Sequence, residues 1–471
     1  MKKRRLTLLI LLLVVGMALG SCAPGTASVG EDGSSGFSGG HEEKTVTYDT
    51  YGSYWMRPHD DKTMPVGAFN SCPDLTGAYT YSYIKNKQTF KDYAEAGVNV
   101  MMGLYEYTAS EEVYQALEWC GEYGLAYLVK YAGADNTNKS TARATLSQAK
   151  YYDAFAGVMQ VDEPGRVSFE KIARSAEIIT EVLPEEYADK CLMHVNLFPD
   201  YATQYQLYNR VNSGELPEGG YSYTQYVEDF LEIVDPKILS YDNYPVSGGE
   251  NVLKGYSYFG NMALIRKYAL QKNIPFWTYV QTCSFGGSSR VPNEAELLWQ
   301  VNTALSYGAK GLQYFCGVNP IDGGETFKGS MFDRDGNKTE VYSYVKKAGV
   351  QIGAADEVLM HSISKGVMIT GDVPYDSARG TGIPEADVLQ SYGELVSVTG
   401  KHVFTGCFDY DGKSAYYITN NSITEDDEIL LKFNKSVKGF TVFRGVKTPC
   451  EGAELSVSLN AGEGVLIVIE S

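Results

Sequence analysis

The sequence contains no CxxC pair, and its cysteines are scattered. After Cys22 they stand at 72, 120, 191, 283, 316, 407 and 450. That spacing provides no zinc or redox centre. An odd count excludes a fully paired disulfide framework in one chain, so most of them are expected to pack as small apolar side chains. No GxGxxG or P-loop string follows a strand-like run, which removes the common nucleotide cradles, and no cofactor or metal is expected. After residue 22 no stretch approaches 18 uninterrupted apolar residues, so no membrane-spanning helix is expected either. Positive charge is scarce: 40 Lys and Arg stand against 58 Asp and Glu, a net charge of −18. Phosphate backbones and anionic lipid surfaces are bound through Lys and Arg, so nucleic acid is not an expected partner.

The N-terminus is built differently. Lys2, Lys3, Arg4 and Arg5 precede an apolar run from Leu6 to Leu19, and Gly20 and Ser21 lead into Cys22. This is the tripartite layout of a secretory signal. Leu19-Gly20-Ser21-Cys22 resembles the lipobox of bacterial lipoproteins, which implies cleavage before Cys22 and a lipid on its sulfur. The expected location is the cell surface or the extracytoplasmic face of a membrane, held by that anchor. Loss of the four positive charges leaves the mature chain near −22. Residues 23–45 are rich in Gly and Ser, as in GTASVGEDGSSGFSGG, and read as a flexible tether.

From 46 to 360 the pattern is one of short apolar runs alternating with helical stretches. The runs are 65–71, 98–106, 125–133, 157–163, 191–198, 238–245, 275–283 and 311–317. Helical periodicity lies between them, as at 168–183 and 293–308. Eight strand–helix repeats predict an α/β fold, a (β/α)8 TIM barrel. From 361 to 471 the helical period is gone, and runs such as SAYYITNN, GFTVFRG and EGVLIVIE are separated by Gly, Asp and Asn turns. A small C-terminal β-sandwich is expected there.

Barrels of this kind carry their sites at the C-terminal ends of the strands. The residues expected there are Asn70, Glu106, Lys130, Tyr131, Asp162, Glu163, His194, Asn196, Asp242, Tyr244, Gln281 and Tyr314. The sharpest local signal is GVMQVDEPG at 157–165, where two acids directly follow a buried strand. Burial at the rim raises a carboxyl pKa, the usual route to a general acid near neutral pH. The plainer alternative is that Asp162 or Glu163 caps the helix at 168–183, although Ser168 is better placed for that. Tyr is used 37 times against 18 Phe, and Trp277 and Tyr244 lie in or beside the strands. Such rings stack on the C–H faces of sugars, and equally fill cores.

The eight-run layout, the acid pair ending the fourth run, and the strings SYDNYP, PFWTYVQT and GAKGLQYF resemble TIM-barrel glycoside hydrolases. The nearest likeness is to the clan of the family 42 β-galactosidases and related gut-bacterial sugar hydrolases. The resemblance implies a carbohydrate substrate, Glu163 as general acid, and Asp162 in place of the Asn that usually precedes it. It also implies a Glu nucleophile ending the seventh strand, where this chain has Gln281. An amide cannot act as that carboxylate, so Asp242 is put forward as the partner, with Glu106 in reserve. Asp162, Glu106, Asn70, Lys130, His194, Asn196, Tyr244, Trp277, Gln281 and Tyr314 are the candidate substrate contacts. The rival reading is a catalytically inactive barrel that binds glycans.

Overall fold

The eight apolar runs form eight parallel strands. They are β1 (Val66–Cys72), β2 (Val100–Gly103), β3 (Ala126–Lys130), β4 (Phe155–Asp162), β5 (Leu192–Leu197), β6 (Leu239–Tyr241), β7 (Phe276–Gln281) and β8 (Gly311–Phe315). The computed structural model describes residues 56–72, 86–103, 108–131, 137–249, 253, 257–320, 326–371, 375–376 and 381–471. The signal with Cys22, the tether and Glu106 lie outside these. The strands pair in chain order, and β8 pairs with β1 to close the barrel. Both faces of each strand are covered, which is why the runs are apolar throughout rather than alternating.

Nine helices occur among the described residues: α1 (Lys87–Glu95), α2 (Glu111–Tyr123), α3 (Lys139–Thr145), α4 (Phe169–Thr180), α5 (Gln204–Asn209), α6 (Tyr223–Ile233), α7 (Tyr258–Lys272), α8 (Glu294–Tyr307) and α9 (Glu340–Met360). None is long and apolar enough to cross a membrane. Their ends follow local chemistry. Asn293 and Glu296 form a reciprocal capping box at the start of α8, and Gly308 ends it in the left-handed conformation. The start of α4 departs from expectation. Ser168 occupies its N-cap, but the hydroxyl donates to the Gly165 carbonyl at 2.6 Å instead of capping. The short turn Arg166–Ser168 separates Asp162 and Glu163 from the helix, so neither acid occupies its N-cap.

Two apolar layers result. Phe69, Met102, Leu128, Met159, Trp277 and Tyr279 fill the barrel interior. Val129, Val158, Leu239, Tyr241 and Tyr314 pack between the strands and the helices. Gly311 is required where it stands, since a Cβ there would lie 2.6 Å from the Trp277 ring.

The tail is a curled antiparallel sheet of β9 (Ser362–Ile369), β10 (Leu395–Thr399), β11 (Val403–Tyr410), β12 (Lys413–Asn420), β13 (Asp427–Phe443), β14 (Val446–Leu459) and β15 (Gly464–Ile469). Its order is β9-β11-β12-β15-β13-β10, with β14 paired to β13. One face, with Phe404, Phe408, Tyr417, Leu466 and Val468, joins the helix layer of the barrel. The other carries Cys407, Tyr416, Ile418 and Ile467 into a core of its own. β13 breaks register between Lys432 and Val437, and Ile429, Leu431 and Phe433 of its first half close over that second core. The expected small sandwich is thus one long sheet folded over itself.

Helix α8 lies between barrel and tail, and every residue from Glu296 to Tyr307 is buried. Its polar groups bond across the seam: Asn302 donates to Gly462 O at 2.8 Å, and Ser306 to Tyr417 O at 3.0 Å. Just before β8, buried Lys310 donates its ammonium protons to the carbonyls of Leu359, Met360 and Ser362, where α9 ends and the tail begins. A Lys310→Met variant keeps the stem but leaves three buried acceptors without their donor. It is expected to lose about 1–3 kcal/mol, read from the shift in the urea unfolding midpoint.

Candidate active site

The site is built where β4, β5 and β6 end. Pairing of β4 with β5 runs Met159↔His194 and then, after a break, Val161↔Val195 and Asp162↔Asn196. The bulge matters for function. Without the extra residue, Val161 would stand beside Asn196; with it, the acid does. On the other side Asn196 pairs with Ser240 of β6. Asn196 Nδ2 donates to Asp162 Oδ1 and to Asp242 Oδ1, each at 3.2 Å. The two acid oxygens are therefore at most twice that distance apart. If its two N–H bonds, splayed by about 120°, each serve one acid, the oxygens stand roughly 5.5 Å apart.

Behind Asn196 a line of hydrogen bonds crosses the barrel interior. Ser240 Oγ donates to Asn196 Oδ1 at 3.0 Å, and Gln313 Nε2 of β8 donates to Ser240 Oγ at 2.9 Å. His194 Nε2 meets Gln313 Oε1 at 2.6 Å. All four of these side chains are buried. Burial pulls the His194 pKa down to about 4, only partly opposed by the Gln313 bond, so the ring is neutral with its proton on Nε2.

The His194 shift fixes a sign. Unfolded, the ring takes its proton near 6.5, and folded near 4. Stability present above pH 6.5 is lost as pH falls through that window, by about 3 kcal/mol in full. A His194→Gln variant keeps a donor at the same place but does not titrate. The difference in unfolding free energy between the two proteins is therefore expected to change between pH 6.5 and 4 and to be flat above it.

Burial pushes Asp242 well above the usual carboxylate range, and the charge of Asp162 adds to this, against the bonds from Asn196 and Tyr244. Burial also raises Asp162, which the Asn196 bond and the charge of Arg210 oppose. The deeper acid is thus the one that keeps its proton. Glu163 follows directly, in the left-handed conformation at φ 49°, with its N–H on the Asn196 carbonyl at 2.8 Å. Such backbone strain in a residue other than glycine concentrates at functional sites.

The other expected residues divide. Asn70 is left-handed too, at φ 52°, and its amide ties the end of β1 to Val318 O at 2.9 Å. Lys130 ends β3 partly exposed, and its carbonyl accepts from Thr108. Tyr244 stands at the mouth against Phe285 and Phe315, with ring centroids 5.0 and 5.2 Å away. Trp277 lies in the interior layer but only 2% exposed, two positions deeper than Tyr279 along β7, so it is core rather than a surface for a sugar. Tyr314 is a correction: it packs in the helix layer because its neighbour Gln313 is the one turned inward, and Phe315 faces the mouth instead. Gln281 is fully used. Its Nε2 lies within bonding distance of Val246 O, Cys283 O, Ser289 Oγ and Arg290 O, and its Oε1 accepts from Val246 N–H. This amide holds together the loops after β6 and β7, a task independent of the acid pair.

Several members of the site were not anticipated. Ser240 and Gln313 carried a signal, as polar residues inside otherwise apolar runs. Tyr279 feels the charges of Asp162, Asp242 and Glu163, and its buried hydroxyl has no partner among the described residues. A substrate hydroxyl would satisfy it. Tyr201, near Asp242 and Glu163, and Arg210, whose Nη2 donates to the Asp162 carbonyl at 2.9 Å, come from the long connection after β5. Nothing in that loop's composition marks them. No cluster of metal-ligating side chains occurs among the described residues.

The fold and the site together define an α/β barrel carrying two neighbouring carboxyls at its mouth, Asp242 buried and Asp162 half-buried. No protein family and no curated protein matches the sequence. Among solved structures the chain is similar to a putative alpha-galactosidase from Bacteroides fragilis, with 9% identity, TM-score 0.46, and 87% of this chain and 80% of that one covered. It is also similar to the GH51 arabinofuranosidase from Xanthomonas axonopodis pv. citri, with 10% identity, TM-score 0.43, and coverage of 87% and 96%. A beta-galactosidase from the psychrophilic Marinomonas ef1 aligns at 10% identity and TM-score 0.44 over 65% of this chain, which spans 63% of that enzyme's length.

Proposed function

We propose that this chain is a surface-anchored glycoside hydrolase that cleaves O-glycosidic bonds in an oligo- or polysaccharide. The observation that carries this is the single amide nitrogen of Asn196 bonded to both Asp162 and Asp242. With each N–H serving one acid, it would set the bonded oxygens roughly 5.5 Å apart, near the ~5–5.5 Å of a retaining mechanism and below the ~6.5–9.5 Å of an inverting one. Asp242, which burial keeps protonated, donates its proton to the glycosidic oxygen as that bond breaks. Asp162, beside Arg210, attacks the anomeric carbon and forms a glycosyl ester. Asp242, now ionised, takes a proton from water, whose oxygen displaces Asp162 and releases the sugar with its configuration retained. Glu163 is the second candidate for proton donor, favoured by its left-handed backbone at the rim.

The test is a screen of the mature chain against aryl glycosides and plant or host glycans, with the first-formed anomer followed by NMR. Hydrolysis with retention supports the reading. Glycan binding without turnover supports the inactive barrel, and an inverted product removes Asp162 as nucleophile.

Anchoring rests on the sequence of residues 1–22. A Cys22→Ala variant is expected to leave the membrane fraction or remain unprocessed, because acylation needs the thiol. One acyl chain alone holds only marginally, whereas two give stable attachment. Fractionation followed by immunoblotting checks this.

A further inference from the structure

We propose that His194, Gln313 and Ser240 form a one-way donor chain whose task is to hold the Asn196 amide with its nitrogen toward Asp162 and Asp242. The inference concerns the same acid pair as the proposed function, but stands on separate bonds. Each link fixes the next. The Gln313 nitrogen is spent on Ser240, so its oxygen faces His194 and must receive the Nε2 proton. Ser240 accepts from Gln313, so its own hydrogen is free to point at Asn196 Oδ1. That leaves Asn196 Nδ2 facing the acids. The reverse orientation would set an amide oxygen against two carboxylate oxygens, a repulsion that only protonation of both acids would relieve.

The chain explains two features the acid pair alone does not. A neutral histidine sits deep in the barrel interior, with its second nitrogen unpartnered among the described residues. Inward-facing polar groups on β6 and β8 interrupt strands that are otherwise apolar. Both are costly to bury, and both are used here to transmit one orientation across the barrel. His194, Gln313 and Ser240 are positioning residues: they touch neither acid and act through Asn196.

Among the described residues three other charges lie near the pair: Glu163 from the end of β4, Arg210 from the loop after α5, and Asp200, whose charge reaches Tyr201 and Tyr223 as that of Asp242 does. The remaining titratable neighbours are the hydroxyls of Tyr201, Tyr223, Tyr244 and Tyr279 and the Cys316 thiol. Burial holds all of them above their ordinary range and therefore neutral. Among the described residues, titration near the pair in the working range thus belongs to the carboxyls of Asp162, Asp242, Glu163 and Asp200.

Carbon-13 labelling of the aspartate carboxyls allows the pair to be titrated by NMR without any substrate, with Asp162→Asn and Asp242→Asn for assignment and Glu163→Gln to remove the third acid. Ser240→Ala deletes the link that orients Asn196. Gln313→Glu reverses it, because a carboxylate accepts from both His194 and Ser240, which then presents a lone pair to Asn196. Both variants are expected to raise the Asp162 and Asp242 midpoints by about one pH unit, since a donor to the ionised forms is lost. His194→Gln, which retains the donor, is expected to leave them in place. Unmoved midpoints in Ser240→Ala and Gln313→Glu would overturn the proposal. Should both variants fail to fold, the wild type decides: Asn196 amide protons that resist exchange and shift as the acids titrate support the chain, and freely exchanging ones refute it. Because the readout needs no turnover, a protein that hydrolyses nothing yet shows these shifts would retain the chain and lose the hydrolase reading.

Discussion

If the chain hydrolyses glycosides as proposed, Asp242→Asn is expected to lower the rate on an unactivated glycan by about 10²–10⁴-fold, the usual contribution of a positioned general acid. The amide matches the carboxyl in size and can still accept from Asn196, so the fold and the Asn196 contact persist while the proton is gone. Aryl glycosides with a good leaving group need little protonation and should lose far less in the first step. The pH profile carries a second signature. The limb that falls at high pH reports loss of the donor's proton, and in the variant that limb should disappear. Comparison of kcat/KM across a series of leaving groups tests both points. Equal losses for good and poor leaving groups would take the donor role away from Asp242, and Glu163→Gln would then be the variant to follow.

Asp162→Asn should be at least as damaging, about 10⁴-fold or more in kcat, because no carboxylate then forms the covalent intermediate. Leaving-group quality does not rescue this loss. In the truncated Asp162→Ala variant a small external nucleophile does: azide entering the vacated space would give a glycosyl azide of inverted configuration. Under the same conditions Glu163→Gln gives no such product if Glu163 is not the nucleophile. Recovery of the azide adduct in one variant and not in the other assigns the two adjacent acids, which the sequence string Asp162-Glu163 by itself cannot separate.

The barrel was legible because eight short apolar runs alternate with helical stretches, and all eight runs became strands. The tail was legible from the loss of the helical period at 361. What the sequence did not show was which residue of a run faces inward. Tyr314 looked like a rim aromatic, yet the inward position belongs to Gln313, and a glutamine inside GLQYF was the clue. The partnership of Asp162 with Asn196 depends on a bulge between Met159 and Val161, a backbone event without a residue signature here. Gln281 looked like a lost nucleophile. It is a fully bonded amide whose partners come from loops whose course no local pattern specifies.

The last strand of the tail in chain order is interior in space. Strand β15 pairs with β12 on one side and β13 on the other, and Leu466 and Val468 from it join the layer over the barrel helices. A chain leaving the ribosome N-terminus first therefore presents a finished set of barrel strands while the wall around α8 is still open. That wall cannot be sealed until residues 464–469 are in place, and until then Phe404 and Phe408 have an incomplete sheet behind them. The long-range pairings that close it are the slow kind, and until they form the apolar face of the sheet stays open to aggregation.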